Sequence, residues 1–331
     1  MGAGASAPLN VPGGMPSAPA PSRAPASDSL PLPGGPATDP HAITAVVLAL
    51  NEEANIERCL RSLLWADRIL LVDNGSTDRT VEIAAGFTSW IVPHVLPPEI
   101  DPVHGNLNWA FPQIPAGWIL QVDADERVSP ELAAEMRAAV ASQPSDAAFA
   151  IPFWTSVLGT WPRYGYWGRH RRLIRLFRSG RGRYRLHAIH EPLEVDGTVG
   201  RLAAPILHEP YPTLRDFIRK TNRYTTREAQ RILDGTSPGT SAMGLKAARS
   251  RTGLIAIWAG VRLFLWSYLR LSGWREGRIG IATSSMLGIY GFLEVLKVWE
   301  AARGPKTGSG GATAPQAGKA AAGSSRESRE G

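Results

Sequence analysis

The sequence predicts an α/β protein built on a mostly parallel sheet, and three observations carry that expectation. The runs ITAVVLAL (43–50), RILLVD (68–73) and WILQVD (118–123) are continuously apolar, as in strands buried on both faces. Segments with apolar residues at helical spacing, IERCLRSLLW (56–65) and VEIAAGF (81–87), follow the first two of them. Polar clusters fall directly after the strands: NEE (51–53), DNGSTD (73–78) and DADE (123–126). Open α/β sheets bind ligands beyond the carboxyl ends of their strands, so the three clusters belong to one site. Strand–helix–strand alternation of this length implies right-handed crossovers.

Taken in order, SWIVPHV (89–95) reads as a further strand, and the Pro-rich stretch 96–117 carries no assignable element. SPELAAEMRAAV (129–140) is a helix with Ser129 as N-cap, Pro130 at its first position and Glu131 in its first turn. Residues 151–210 are less regular, with short strand-like runs at RLIRLF (172–177) and PLEV (192–195), and 213–233 reads as a helix ending before Gly235. GLIAIWAGVRLFLWSYLRL (253–271) and IGIATSSMLGIYGFLEVLKVW (279–299) are apolar nearly all round. Arg262 in the middle of the first is costly at a bilayer centre, whereas Trp258, Trp266 and Tyr268 suit the headgroup level. These two stretches are expected to be membrane-interfacial helices rather than core helices or spans.

Composition sets the limits. The chain has 331 residues, 44% of them hydrophobic, which is enough for a packed core. Residues 1–40 and 304–331 are dominated by Ala, Pro, Gly and Ser and are expected to be disordered tails; no apolar segment follows a basic start in 1–40, so no secretory signal is read there. The one cysteine, Cys59, excludes an internal disulfide and a multi-cysteine metal site; its place within a helical pattern marks it as packed rather than reactive. Net charge is −9 over residues 41–150 and +15 over 151–303. An acidic half can hold a cation, and a basic half can meet phosphate or an anionic membrane surface. Nine arginines and several aromatics interleave in 163–185, a pattern also compatible with nucleic-acid binding; with no recognised DNA- or RNA-binding motif present, no nucleic-acid partner is expected.

The chemistry concentrates in DADE. Residues two apart on an extended chain share a face, so Asp123 and Asp125 could converge on one cation, or on a cation and a ribose hydroxyl. Without clustered His or Cys, a hard ion, Mg²⁺ or Mn²⁺, is favoured. In DNGSTD, Gly75 permits a tight turn and Asp73 can accept hydrogen bonds from a base or sugar; capping of the next helix explains the same residues equally well. No glycine-rich phosphate loop occurs where a nicotinamide enzyme or P-loop NTPase requires one. A nucleotidyltransferase would also use paired carboxylates on a parallel sheet, but a Gly-rich basic loop is expected after its first strand, where this chain has Asn51, Glu52 and Glu53.

ALNEEANIERCLRSLLWADRILLVDNGSTDRTVEIA and WILQVDADERVSPEL together resemble inverting family 2 glycosyltransferases with the GT-A (nucleotide-diphospho-sugar transferase) fold. RLIRLFRSG, AIHEPLEVDG, ILHEPY and FIRKTNRYT resemble a branch that includes bacterial lipopolysaccharide-core β-glucosyltransferases. The resemblance implies a Rossmann-like GT-A domain over 41–235, with a nucleotide half (41–150) and an acceptor half (151–235), followed by a membrane-associated helical region at 236–303. It implies that Asn51, Glu52, Asp73, Asn108, Asp123 and Arg175 bind the nucleotide-sugar, with Arg175 facing its diphosphate. Asp125 and His208 would hold the Mg²⁺ or Mn²⁺, and Glu191 would be the catalytic base. The implied partners are a UDP-sugar donor and a glycan or lipid-linked acceptor, at the cytoplasmic face of the membrane. Two departures from the pattern, the PPEIDPVHG insertion (97–105) and Ala116-Gly117-Trp118, leave every catalytic candidate in place.

Overall fold

The computed structural model describes residues 39–97, 102–142, 144–168, 171–185, 193–235 and 253–303. The expected tails therefore lie outside the described residues, apart from Asp39 and Pro40, and so does Glu191.

A nine-stranded sheet organises the chain. Its first part is parallel: β1 (Ile43–Ala49) lies between β2 (Arg68–Asp73) and β4 (Trp118–Asp123), and β3 (Ile91–Pro93) flanks β2. The helix α1 (Ile56–Arg61) connects β1 to β2, and α2 (Thr80–Ala84) connects β2 to β3. The register pairs Ala49 with Asp73 and Leu48 with Asp123, so the ends of β1, β2 and β4 are level. The three polar clusters are thereby brought to one edge.

The rest of the sheet is mixed. β5 (Glu126–Val128) turns back from β4, and α4 (Pro130–Ala141) follows it. Next come β6 (Ala148–Val157), β7 (Arg172–Arg178), β10 (Val199–Arg201) and β11 (Ile206–Tyr211). β7 inserts between β4 and β6, antiparallel to both, and β11 runs parallel to β6 but antiparallel to β5. Between β7 and β10, β8 (Gly182–Arg183) and β9 (Glu194–Val195) form a separate two-stranded ribbon. The mostly parallel expectation thus holds around β1 and gives way to a mixed sheet from β7 onward.

Alternation along β1 divides the core into two layers. Ile43, Ala45 and Val47 pack with Cys59, Leu60, Leu132 and Met136 of α1 and α4. Val46 packs on the other face with Leu107, Ala110, Phe111 and Phe177. That second layer is covered by α3 (Pro102–Ala110) and a single 3₁₀ turn at Phe111–Gln113, inside the stretch that the sequence left unassigned. The reason is visible in the residues: PVHGNLNWA holds a proline, a glycine and two asparagines, and its buried side includes His104 and Asn106 while Val103 is exposed.

The long helix α5 (Leu214–Leu233) is capped by Thr213, whose Oγ1 accepts the Asp216 amide. α6 (Leu254–Leu265) continues as one π-turn over Trp266–Arg270, and a 3₁₀ turn at Gly273–Glu276 leads into α7 (Arg278–Ala301). α6 and α7 pack backbone to backbone at two glycines: a Cβ on Gly260 would lie 2.9 Å from the Gly288 carbonyl oxygen. α7 also packs on α5, where Lys297 Nζ donates to the Asn222 carbonyl and to Thr226 Oγ1. By length and composition α7 could cross a membrane, yet 44% of its apolar window is buried inside the protein. α6 instead leaves an apolar face uncovered: Leu254, Ile257, Trp258, Val261 and Leu265 are exposed, continued by Leu269 and Trp274.

Candidate active site

The ends of β1 and β2 lock to each other. Asn51 has φ 55°, a left-handed conformation that asparagine tolerates better than most residues. Its amide donates to Ser76 Oγ, and its Oδ1 accepts the Thr77 amide at 2.8 Å. Asp73 is 5% exposed and accepts the Gly75 and Ser76 amides, while Asp78 accepts the Thr80 amide. Glu52 accepts from Asn55 Nδ2 at 2.7 Å. Burial, joined by the Asp125 charge, pushes the Glu52 carboxyl up, which places these two acids within each other's field. Asn51 and Asp73 thus both hold the turn, and α2 after it has no side-chain N-cap bond.

The DADE cluster differs from the sequence expectation. Ala124 and Asp125 form a turn rather than extended chain, so it is this turn, and not the shared face of a strand, that brings Asp123 and Asp125 to one cavity. Asp123 Oδ2 pairs with Arg175 Nη2 at 2.8 Å, whereas Asp125 Oδ2 takes Lys220 Nζ at 2.6 Å. The other oxygen of Asp125 faces His208 Nε2 at 3.6 Å. His208 is brought there by the antiparallel pairing of β11 with β5, which sets it opposite Glu126. Glu126 is 1% exposed; it accepts Arg175 Nη2 at 3.0 Å and the Asp123 amide at 2.9 Å.

The electrostatics follow from burial and pairing. Burial opposes ionisation of Asp125, but His208 and Lys220 outweigh it and hold the carboxyl well below the usual range. Burial likewise opposes the His208 imidazolium, and Asp125 outweighs it and raises the pKa. Burial raises Glu126 despite the Arg175 guanidinium beside it.

These groups share a cavity of about 400 Å³. Its polar lining includes Asp123, Asp125, Glu126, Arg175 and His208, and its aromatic lining Phe153, Tyr166, Trp167, Tyr211 and Tyr224. Of the residues expected from the sequence, four therefore line one cavity, while Asn51, Glu52 and Asp73 stand outside its lining. Asn108 is also outside that lining. Its Nδ2 donates to the Tyr184 carbonyl and its Oδ1 accepts the Tyr184 amide, clamping α3 to the segment after β8. Arg175 is held by two carboxylates, but its Nε is buried with no hydrogen-bond partner among the described residues.

Sequence reasoning missed Glu126, Lys220 and the aromatic lining. Glu126 was the last letter of a motif read only for its aspartates. Lys220 and Tyr224 lay in FIRKTNRYT with no role attached, although they stand four apart, on one side of a helix. The arginine-rich stretch is largely consumed by the fold: Arg178 bonds the Pro144 carbonyl, Arg172 the Leu202 carbonyl, and Arg181 and Arg183 pair with Asp196 and Glu194.

The donor set suits a hard cation in part. Among the described residues no three His, Cys, Asp or Glu side chains gather to hold a metal. Asp125 Oδ1 and His208 Nε2 nevertheless face each other, and Lys220 occupies the opposite carboxylate oxygen. That pair fits one Mg²⁺ or Mn²⁺ whose other positions are filled by ligand oxygens and water, the usual manner for Mg²⁺.

Comparison with known proteins supports reading the chain as a glycosyltransferase. Residues 44–194 match the family described as Glycosyl transferase family 2. It is 28% identical over 266 residues to the lipopolysaccharide core biosynthesis glycosyltransferase LpsC of Rhizobium meliloti, covering 78% of this chain and 92% of that protein. An uncharacterized glycosyltransferase of Rickettsia bellii is 38% identical over 105 residues, 31% of this chain and 34% of that one. Among solved structures, TarS of S. aureus in complex with UDP-GlcNAc is similar over 79% of this chain and 91% of that one, at 12% identity and a TM-score of 0.37. Glucosyl-3-phosphoglycerate synthase from Mycobacterium tuberculosis, in complex with Mn²⁺ and UDP-Glc, is similar over 35% of this chain and 44% of that one, at 21% identity and a TM-score of 0.28.

Proposed function

We propose that this glycosyltransferase moves a hexose from a UDP-sugar to a glycan or lipid-linked acceptor in lipopolysaccharide-core synthesis, at the cytoplasmic face of the membrane and with inversion. The observation that carries the reading is the single cavity in which Asp123, Asp125, Arg175 and His208 meet an aromatic wall. The 28% identity to LpsC over most of both chains supports the lipopolysaccharide assignment. The exposed apolar face of α6, with Trp258 and Trp274 on it, supports attachment at a membrane surface.

Asp125 and His208 would hold the divalent ion, which when bound supplies neutralisation of charge on the leaving diphosphate. Lys220 fixes the carboxylate of Asp125 from its other side. Arg175 keeps Asp123 and Glu126 in place and lines the cavity beside the place proposed for the diphosphate. Asp73 and Asn51 fix the turn beside which the nucleoside is expected. The aromatic residues offer flat faces for a sugar ring. Glu191, outside the described residues, is the residue we assign to take the proton of the acceptor hydroxyl; a general base of this kind contributes about 10²–10⁴-fold. Attack on the face opposite the leaving UDP turns an α-linked donor into a β-glycoside.

Calorimetric titration of UDP, with and without Mn²⁺, tests this reading on the wild type and on Asp125→Ala. Metal-dependent binding that the variant loses is the expected result. A folded wild type that binds no UDP under either condition refutes it.

A further inference from the structure

We propose that Glu276, in the turn between α6 and α7, is a positioning residue for acceptor recognition: it holds the loop that carries Tyr166 and Trp167 into the cavity. The inference rests on the glycosyltransferase reading above and assigns the aromatic wall to a pyranose ring on an apolar carrier.

The loop after β6 has no helix or strand of its own between residues 161 and 168, so its backbone donors must be satisfied elsewhere. Four consecutive amides are accepted by the turn region between the C-terminal helices. Arg163 and Tyr164 both donate to Glu276 Oε1, at 2.7 and 2.8 Å. Gly165 donates to the Leu271 carbonyl at 2.9 Å and Tyr166 to Ser267 Oγ at 3.2 Å. A carboxylate that accepts two amides makes charge-assisted bonds, the strongest of this set. The Arg275 guanidinium lies 4.2 Å from the centre of the Tyr164 ring and adds a second hold on the same loop.

The supporting turn is itself tightly built. Ser267 is fully buried and accepts the Ser284 hydroxyl at 3.0 Å. Gly165 has φ +77°, and a Cβ there would meet Ser267 Oγ at 3.4 Å, so loop and turn are matched in shape as well as in hydrogen bonds. The positioned side chains then assemble the wall. Tyr166 meets Trp167 edge to face at 5.2 Å, and Trp167 meets Tyr211 at 6.3 Å. The same turn continues the uncovered apolar face of α6 through Leu269 and Trp274. One short segment thus touches the lipid-facing surface and fixes the cavity wall, which suits an acceptor sugar presented from a bilayer.

The test compares wild type with Glu276→Ala, Glu276→Gln and Trp167→Ala by three readouts. These are calorimetric binding of UDP, hydrogen exchange of the amides of residues 163–166, and saturation-transfer NMR titration of monomeric octyl β-D-glucopyranoside. Glu276→Ala should bind UDP as the wild type does. Its loop amides should exchange at least tenfold faster, and its affinity for the glucoside should fall at least tenfold. Glu276→Gln retains an accepting oxygen and should restore both properties. Trp167→Ala should lose the pyranose signal. Unchanged glucoside affinity in Glu276→Ala overturns the proposal, as does loss of UDP binding in the same proportion, which would mark a global structural role. A pyranose signal that survives in Trp167→Ala also overturns it, because the probe would then be resting on the α6 face. A wild type that binds UDP but no glucoside rejects the aromatic acceptor wall alone; a wild type that binds no UDP rejects the donor reading and this inference with it.

Discussion

Replacing Arg175 by methionine tests the electrostatic centre of the site. Arg175 is 6% exposed and its guanidinium holds Glu126 at 3.0 Å and Asp123 at 2.8 Å. At an effective dielectric near 20, a pair at that separation attracts by about 5–6 kcal/mol, and the desolvation of both charges offsets much of it. Removing only the cation leaves the desolvation of Glu126 uncompensated, so the expected loss is about 3–5 kcal/mol. For a protein of this size that corresponds to a fall in Tm of roughly 5–9 °C. Glu126 can escape by taking a proton. Its folded pKa lies above the unfolded value of about 4.3, so its ionised form opposes folding and stability falls as pH rises through that range. Loss of Arg175 raises the folded pKa further, and the penalty should therefore grow from about pH 4 upward. Urea melts of wild type, Arg175→Met, Glu126→Gln and the double variant, at pH 5 and pH 8, close the cycle. A loss under about 1 kcal/mol at pH 8, or singles that simply add, would refute the buried-pair reasoning.

Further outcomes are expected. His208→Gln should flatten the pH profile of thermal stability. The raised His208 pKa contributes stability below about pH 6.5 that is lost as pH rises through its folded value, and the depressed Asp125 contributes above about pH 3.9. The pair should therefore stabilise most between those limits, and a melting temperature that rises above pH 6.5 through this pair would contradict it. Asn108→Leu removes both bonds to Tyr184 and should cost about 1–3 kcal/mol while leaving UDP affinity unchanged; a selective loss of UDP binding would return Asn108 to the donor site. Replacing Ile257, Trp258 and Leu269 together by serine should release the protein from anionic vesicles in a flotation assay without lowering its melting temperature, since all three side chains are exposed. Persistent flotation would locate the membrane contact elsewhere. Deleting the helical pair is the poorer experiment, because α7 packs on α5 and the turn beside it holds the loop at 163–166.

Strand positions in the first half were legible because burial on both faces leaves unbroken apolar runs, as in ITAVVLAL. The site edge was legible for the same reason: a polar cluster after such a run can lie only at the strand end. α3 was hidden because PVHGNLNWA buries His104, Gly105 and Asn106 beside Leu107 and Ala110, so its covered side does not read as apolar. The turn between Asp123 and Asp125 was not legible because whether a chain turns after residue 123 depends on Glu126 reaching back to the Asp123 amide, a tertiary event around a buried arginine. Lys220 was silent because the contact it makes is with a residue 95 positions earlier in the chain. Local periodicity records which face of an element is covered, but not which distant charge will cover it.

The insertion of β7 between β4 and β6 has a bearing on how the protein is made. β4 has β1 on one side from the start, but its other edge finds a partner only when residues 176–178 are available. During synthesis from the amino terminus, more than fifty residues separate that edge from its neighbour. A nascent chain stopped near residue 150 would present a bare, apolar, parallel-paired strand, the kind of edge that recruits a second copy of itself. The clean cut between halves suggested by the charge map is therefore unsuitable as a truncation boundary. Expression of residues 41–150 alone should yield aggregates, whereas a fragment that extends past β11 keeps every strand of the large sheet in one molecule.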